Sequence, residues 1–123
     1  MSTSSETSPQ TSVLGALLPE TSTLRGALLM TEKGEVQDET GPECAKLRTL
    51  ASFAVGLYDL GARLAMDSGS GVASELTMRC AEGTLVVHAL PDGRLLAALL
   101  SKTASSGALL HDLGRCARQL GAS

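Results

Sequence analysis

The chain has 123 residues, of which 43% are hydrophobic and 19% are charged, and its net charge is −3. This length allows one domain with a single core. The acidic balance argues against a binder of nucleic-acid backbones, which needs a clustered basic face. One Phe, one Tyr and no Trp leave no stacking platform for unpaired bases. Nucleic acid is therefore not an expected partner, and the core is expected to consist of small aliphatic side chains.

The N-terminal part is expected to lie outside the main domain. Residues 1–12 are rich in Ser and Thr and predict a disordered tail. The short apolar segment 13–22 follows, in which residues 13–18 form either one docked helical turn or the sticky end of the tail. The domain itself is expected at residues 23–121. No signal-peptide pattern and no apolar stretch of about 20 residues occur, so we expect a cytoplasmic protein without a membrane span.

The remaining chain predicts an α+β fold with the order β-β-α-β-β-β-α. Two strands flank a turn at Gly34 and reach about Asp38, and a long helix opens with Thr40 as a possible cap and Pro42 in its first turn. The later elements are a helix over residues 42–65, strands at 74–80, 84–90 and 94–102, and a helix at 108–120. We therefore expect a five-stranded antiparallel sheet that is sandwiched by helices.

The last strand shows where the layers must lie. Residues 95–100 read LLAALL and do not alternate between apolar and polar side chains. A strand without alternation is typical of one that is covered on both faces. The sequence therefore predicts a central strand, with the long helix on one face and the C-terminal helix on the other.

The long helix carries more apolar surface than one sheet can cover. At about 100° per residue, its apolar arc spans about 220°. One stripe is bulky: Leu50, Phe53, Leu57, Leu60 and Leu64. The other is mostly small: Leu47, Ala51, Ala54, Tyr58, Gly61 and Ala65. Two stripes predict two partners, the domain's own sheet and a surface outside the chain, but the pattern does not decide which stripe faces which.

The sequence resembles the roadblock domain family, which includes the dynein roadblock light chain and bacterial MglB-type proteins. The similar stretches are "LRGALLMTEKGEV", "KLRTLASFAVGLYDLGARL", "SELTMRCAEGTLVVHALPDGRLLAALLSK" and "GALLHDLGRCARQL", and they span most of residues 23–121. The resemblance implies a dimer in which two sheets join edge to edge and the long helices pair. It also implies binding to a small Ras-like GTPase, or an adaptor role. Roadblock domains usually begin with a full helix, and this chain offers only residues 13–18 in that place.

Two sets of candidate site residues follow from the resemblance and the stripes. The candidate dimer interface, with a second copy or a related paralogue, comprises Leu50, Phe53, Ala54, Leu57, Tyr58, Gly61, Leu64, Leu76 and Met78. In such a dimer the polar side of the helix would flank the paired helices and form a docking surface for the GTPase. It comprises Arg48, Ser52, Asp59 and Arg63. The alternative is that these residues simply form the solvent-exposed face of the helix.

The sequence gives little support to an enzyme or a metal site. It has no phosphate-binding loop motif and no G-x-S-x-G nucleophile motif. The three cysteines form no C-x-x-C pair, which argues against a zinc site and a disulfide framework. Cys80 and Cys116 are expected to be buried. Cys44 lies near the helix start, where its pKa could be lowered. His111 is expected on the surface and His88 as a partly buried, hydrogen-bonded residue.

No catalytic residue, cofactor or metal ligand is therefore predicted. The alternative to a GTPase regulator is a small-ligand sensor domain of the PAS or GAF type, which also layers helices on an antiparallel sheet. The scarcity of aromatic side chains and of convergent polar groups speaks against a ligand pocket. A hydrolase has only scattered Ser and His residues in its favour.

Overall fold

The fold is a five-stranded antiparallel sheet with helices on both faces. The computed structural model describes residues 13–18, 23–102 and 106–122, so the predicted tail at 1–12 lies outside the described residues. The elements are α1 (Val13–Leu17), β1 (Leu24–Met30), β2 (Val36–Thr40), α2 (Cys44–Arg48), α3 (Ala51–Asp67), β3 (Glu75–Cys80), β4 (Gly83–Ala89), β5 (Leu95–Ser101) and α4 (Ser106–Ala122). The α+β class is confirmed, and the expected order of strands and helices broadly matches, with α1 added and two helices between β2 and β3.

The strand order is β2-β1-β5-β4-β3, which places β5 in the centre of the sheet. Ala98, for example, is paired with Ala27 of β1 and with Val86 of β4. On one face, Leu96, Ala98 and Leu100 pack in a cluster with the buried side chains of α1 and α4. On the other face, Leu95 and Ala97 pack with the buried side chains of α2 and α3. The prediction of a central strand covered twice is confirmed.

The helix predicted as continuous over residues 42–65 is two helices, α2 and α3, separated by a turn at Thr49 and Leu50. The hydroxyl of Thr49 donates a hydrogen bond of 2.6 Å to the carbonyl oxygen of Lys46. The backbone N–H of Thr49 also reaches Lys46, and that of Leu50 reaches Leu47, which are three-residue rather than four-residue steps. A Thr hydroxyl that competes for backbone carbonyls weakens a helix interior, which accounts for the break.

The predicted cap at Thr40 is also wrong, because Thr40 is the last residue of β2. The residue that precedes α2 is Glu43, whose side chain makes no capping hydrogen bond. Its backbone N–H instead donates to the carbonyl oxygen of Arg25 at 2.7 Å. Gly41 makes the sharp turn possible: it has φ +99, and a Cβ there would lie 2.7 Å from the Cα of Gly26.

The short N-terminal helix α1 is docked, so of the two interpretations of residues 13–18 the docked turn is the one observed. Leu14 and Leu18 are buried in the cluster on the α4 face of the sheet. The backbone N–H of Leu14 donates to the Asp38 carboxylate at 2.8 Å, which ties the helix to β2. This single turn thus covers the β1–β2 end of the sheet. No helix in the described part of the chain is long and apolar enough to cross a bilayer.

Candidate functional surface

The structure decides which stripe of the long helix faces the sheet. Leu47, Ala51 and Ala54 of the small stripe are buried against β1, β4 and β5. The bulky stripe lies on the outer side, where four of its five side chains are exposed and Leu57 is half-buried. We call it the outer stripe, and it consists of Leu50, Phe53, Leu57, Leu60 and Leu64. The contrast is sharpest at neighbouring positions, since Phe53 is 73% exposed and Ala54 is 4% exposed. Small side chains let a helix approach a sheet closely, so the bulky ones are turned outward.

An apolar groove runs beside the outer stripe, between α3 and the β3–β4 side of the sheet. Its volume is about 500 Å³. Its apolar walls come from Leu47, Leu50, Phe53, Ala54, Leu57, Met78, Cys80, Leu85 and Leu99. Met78 belongs to the edge strand and is 42% exposed. The groove therefore continues the outer stripe as far as the edge of the sheet.

The residues predicted for a dimer interface fall into three groups in the structure. Leu50, Phe53, Leu64 and Met78 are exposed. Leu57, Tyr58, Gly61 and Leu76 are half-buried, and Ala54 is buried in the core. Leu60 is not among the predicted interface residues, although it is 71% exposed and continues the same stripe. Leu60 can be recognised in the sequence by the alternating spacing of three and four residues along the stripe.

Three of the half-buried residues hold α3 against the edge strand. The hydroxyl of Tyr58 donates a hydrogen bond of 2.6 Å to the carbonyl oxygen of Ala73, just before β3. Gly61 lies against Leu76: a Cβ at Gly61 would be 3.0 Å from the Cδ1 atom of Leu76. The helix and the strand edge are thereby fixed relative to each other, so the outer stripe and the edge form one surface.

Arg25 lines the groove and was not singled out from the sequence. Its Nε and Nη2 atoms donate to both carboxylate oxygens of Glu43 at 2.9 Å, and Nη1 donates to the carbonyl oxygen of Glu82 at 3.2 Å. The hydrogen bond from Arg25 lowers the pKa of Glu43 to about 2. The sequence feature that could have drawn attention to Arg25 is its position as a single arginine in an otherwise apolar strand, "LRGALLM".

The polar residues predicted for partner binding are all exposed, but they do not share one helix. Arg48 lies on α2 and pairs with Glu39 at 3.0 Å, whereas Ser52, Asp59 and Arg63 lie on α3. Arg63 pairs with Asp67 at 3.3 Å, one turn further along. The turn at residues 49–50 thus interrupts the predicted polar side of the helix.

The cysteines differ from the expectations at two of three positions. Cys80 is exposed on β3 and lines the groove, because β3 is the edge strand of the described sheet. The position of Cys44 near a helix start could lower its pKa, but burial and the nearby Glu39 carboxylate raise it. Cys116 is buried as expected, and burial raises its pKa to about 11. Within residues 13–18, 23–102 and 106–122, no three His, Cys, Asp or Glu side chains are grouped as metal ligands.

His111 is exposed, as expected. His88 lies on the α4 face of β4, opposite Leu85 and Val87, and its side chain is 12% exposed. The expected hydrogen bond is missing at Nε2, which is buried without a partner among the described residues. Buried polar nitrogens normally have a partner, so this histidine needs a separate explanation.

The comparisons with known proteins identify the fold. A Roadblock/LC7 domain from Streptomyces avermitilis superposes with a TM-score of 0.78 at 20% identity, over 88% of this chain and 91% of that one. The gliding protein MglB from Thermus thermophilus superposes with a TM-score of 0.77 at 27% identity, over 89% and 84% of the two chains. An MglB solved in a tetrameric arrangement gives 0.78 at 27% identity, over 89% and 83%. This chain has the fold of a roadblock domain, as its sequence predicted. No protein-family model and no curated protein sequence matches it.

Proposed function

We propose that this protein is a non-enzymatic regulator or adaptor that forms a homodimer and binds a small Ras-like GTPase in a reducing cytoplasm. The observation that carries the proposal is the outer stripe, an exposed apolar row along α3 that continues into the groove and the β3 edge. The roadblock fold supports the GTPase partner, because members of the family that the sequence resembles regulate such GTPases.

The dimer is proposed because two exposed features need the same kind of partner. An apolar row of this length left in water promotes association. Among the described residues β3 is hydrogen-bonded to β4 alone, so its outer edge is available to extend the sheet. A second copy related by a two-fold axis would cover both features at once. We expect an interface of more than about 1,000 Å² in total.

Two neighbouring positions of α3 provide the test. Phe53→Asp puts a charge into the outer stripe and is expected to give folded monomers. Ser52→Asp puts the same charge on the exposed side of the same turn and is expected to leave the dimer intact. Sedimentation equilibrium measures the mass, and circular dichroism checks that both variants are folded. A stable monomer for the unsubstituted protein at micromolar concentration would overturn the dimer.

The GTPase partner is tested with purified small GTPases of the same organism, loaded with GDP or with a non-hydrolysable GTP analogue. We expect binding that depends on the nucleotide and that weakens when Arg63 or Arg48 is changed to Glu, as measured by calorimetry. Turnover of GTP in the presence of the protein distinguishes a regulator from an adaptor. Equal or absent binding in both nucleotide states would contradict the proposal, and copurification with a related paralogue would replace the homodimer by a heterodimer.

One observation favours the alternative, a small-ligand sensor of the PAS or GAF type. The groove of about 500 Å³ is large enough for a small molecule. Its polar groups are few, however, and the guanidinium of Arg25 is already engaged by Glu43. Native mass spectrometry of the purified protein separates the two functions: a bound small molecule supports the sensor, and a bare dimer supports the regulator.

A further inference from the structure

His88 occupies an unusual position between the sheet and the C-terminal helix. It lies in β4 directly opposite Glu75 of the edge strand β3. Its Nε2 atom is 3.5 Å from the Oε1 atom of Glu75 but makes no hydrogen bond within the described residues, and it is sealed from solvent. On its other side, His88 is paired with Leu96 of β5, which is fully buried. A neutral imidazole is tolerated in this place, whereas a charged one gains an attraction to Glu75 and loses its hydration.

The helix α4 covers the same imidazole from the other side. A Cβ at Gly114 would lie 4.0 Å from the Cε1 atom of His88 and 3.7 Å from the Nη1 atom of Arg118. A cleft of about 270 Å³ lies beside this contact, at the end of β4. It is lined by Ser74, His88, Ala89, Pro91, Gly114, Ala117 and Arg118. The charged groups that act on His88 are therefore the Glu75 carboxylate on β3 and the Arg118 guanidinium on α4.

We propose that His88 is an acid-sensitive latch for the C-terminal helix: α4 docks on the neutral imidazole and is loosened when the imidazole gains a proton. The proton gives the imidazole a positive charge, which the Arg118 guanidinium across the cleft repels and the Glu75 carboxylate attracts. Protonation therefore strengthens the interaction of His88 with β3 and weakens its contact with α4. His88 and the outer stripe lie on opposite faces of the sheet, so the two proposals share only the strand β3, which carries Glu75 and forms the sheet edge.

The direction of the pH effect follows from the environment of the imidazole. Burial lowers the pKa of His88 below its ordinary value of 6.5; Glu75 opposes this change and Arg118 adds to it. The unfolded or undocked chain therefore binds the proton more readily than the docked one. Docking is at full strength above about pH 6.5 and weakens as the pH falls from there toward the lower pKa of the docked state.

Cys116 is a built-in probe of this docking, because it lies on α4 and is buried against the sheet. Cys44→Ser and Cys80→Ser leave it as the sole thiol. Its reaction rate with 4,4′-dithiodipyridine, divided by the rate in the urea-unfolded chain at the same pH, gives its protection. The ratio cancels the intrinsic pH dependence of the thiol. We expect protection to fall several-fold between pH 7.5 and pH 5.5.

Substitutions at three positions test the latch itself. His88→Gln should abolish most of the pH dependence, while His111→Gln on the exposed side should retain it. Glu75→Gln removes the attraction and should make the loss of protection steeper, whereas Arg118→Gln removes the repulsion and should make it shallower. An unchanged pH dependence in His88→Gln, or a change in the same direction in Glu75→Gln and Arg118→Gln, would overturn the proposal. The last two variants keep the test valid should His88→Gln fail to fold.

Discussion

At the scale of single residues, side-chain size determines how α3 is oriented. Three consecutive positions have three environments: Ser52 is exposed and polar, Phe53 is exposed and apolar, and Ala54 is buried. A phenyl ring in place of the Ala54 methyl group would hold the helix away from β1 and β5. The packing of small residues against the sheet therefore explains why the largest apolar side chain of the helix faces water.

Ala54→Asp completes the series begun with Ser52 and Phe53 and is expected to unfold the domain. It buries a carboxylate among aliphatic side chains, at a cost of about 3 kcal/mol or more. Urea unfolding followed by circular dichroism measures the free energy. A folded Ala54→Asp protein that dissociates like Phe53→Asp would show that the two stripes are assigned the wrong way round.

Two glycines are expected to respond in opposite directions to the same substitution. A Cβ at Gly83 would lie 2.7 Å from the carbonyl oxygen of Leu100 and 2.8 Å from the Nη1 atom of Arg25, so Gly83→Ala should destabilise the protein by about 1–3 kcal/mol. Gly56 lies in α3, where an added methyl group would meet nothing within 4 Å in the described structure, so Gly56→Ala should stabilise the protein by about 0.5–1 kcal/mol. Urea midpoints compare the two variants, and equal shifts would contradict the packing described at Gly83.

At the scale of elements, Arg25 joins three parts of the fold that are far apart in sequence. One guanidinium links the start of β1 to Glu43 before α2 and to Glu82 in the β3–β4 turn. Bidentate arginine–carboxylate pairs fix geometry as well as contribute energy. The short helix α2 has no side-chain cap, and this pair fixes the residue that precedes its first turn together with the backbone bond from Glu43 to Arg25.

The Arg25–Glu43 pair is expected to make the free energy of unfolding depend on pH in the acid range. The pKa of Glu43 in the folded protein is lowered to about 2, mainly by the hydrogen bond from Arg25, against an ordinary value of 4.5. Its contribution is therefore fully present above pH 4.5 and is lost as the pH falls from 4.5 toward 2. Glu43→Gln should flatten the pH dependence of the urea midpoint in this range. Asp67→Asn is the control, because its pair with Arg63 is largely exposed; an equal flattening there would refute the assignment.

At the scale of the whole molecule, the two faces of the sheet have different roles. The α1 and α4 face contains the larger buried cluster and the proposed latch at His88. The other face contains α2, α3, the groove and the exposed outer stripe. Phe53→Asp for the proposed dimer and His88→Gln for the proposed latch therefore change side chains on opposite faces, and the two proposals can be tested with separate variants.

Removal of residues 2–11 is expected to leave the thermal midpoint unchanged. This segment has no apolar side chain that could contribute to the core. Differential scanning calorimetry of the shortened and full chains at equal concentration provides the measurement. A midpoint several degrees lower in the shortened chain would show that the segment contributes contacts to the folded protein.

Much of the fold could be predicted from local pattern. The unbroken apolar run at 95–100 indicated a strand covered on both faces, because alternation is lost only where neither face meets water. The break after Arg48 could not be read from apolar spacing, since it depends on the Thr49 hydroxyl and the carbonyl of Lys46. For Cys80, the apolar alternation of β3 correctly gave its face, but the exposure depends on the strand's place at the sheet edge.

The sequence by itself determined the class of fold and the order of strands and long helices along the chain. It also determined which strand is central and that the segment of α2 and α3 carries two apolar stripes. These follow from periodicity and composition, which act over a few residues. Only the tertiary structure decided that the small stripe packs inward, that Arg25 meets Glu43, and that His88 lies between Glu75 and Arg118. Such contacts join residues on different elements, and their geometry depends on how whole elements pack, which no local pattern encodes.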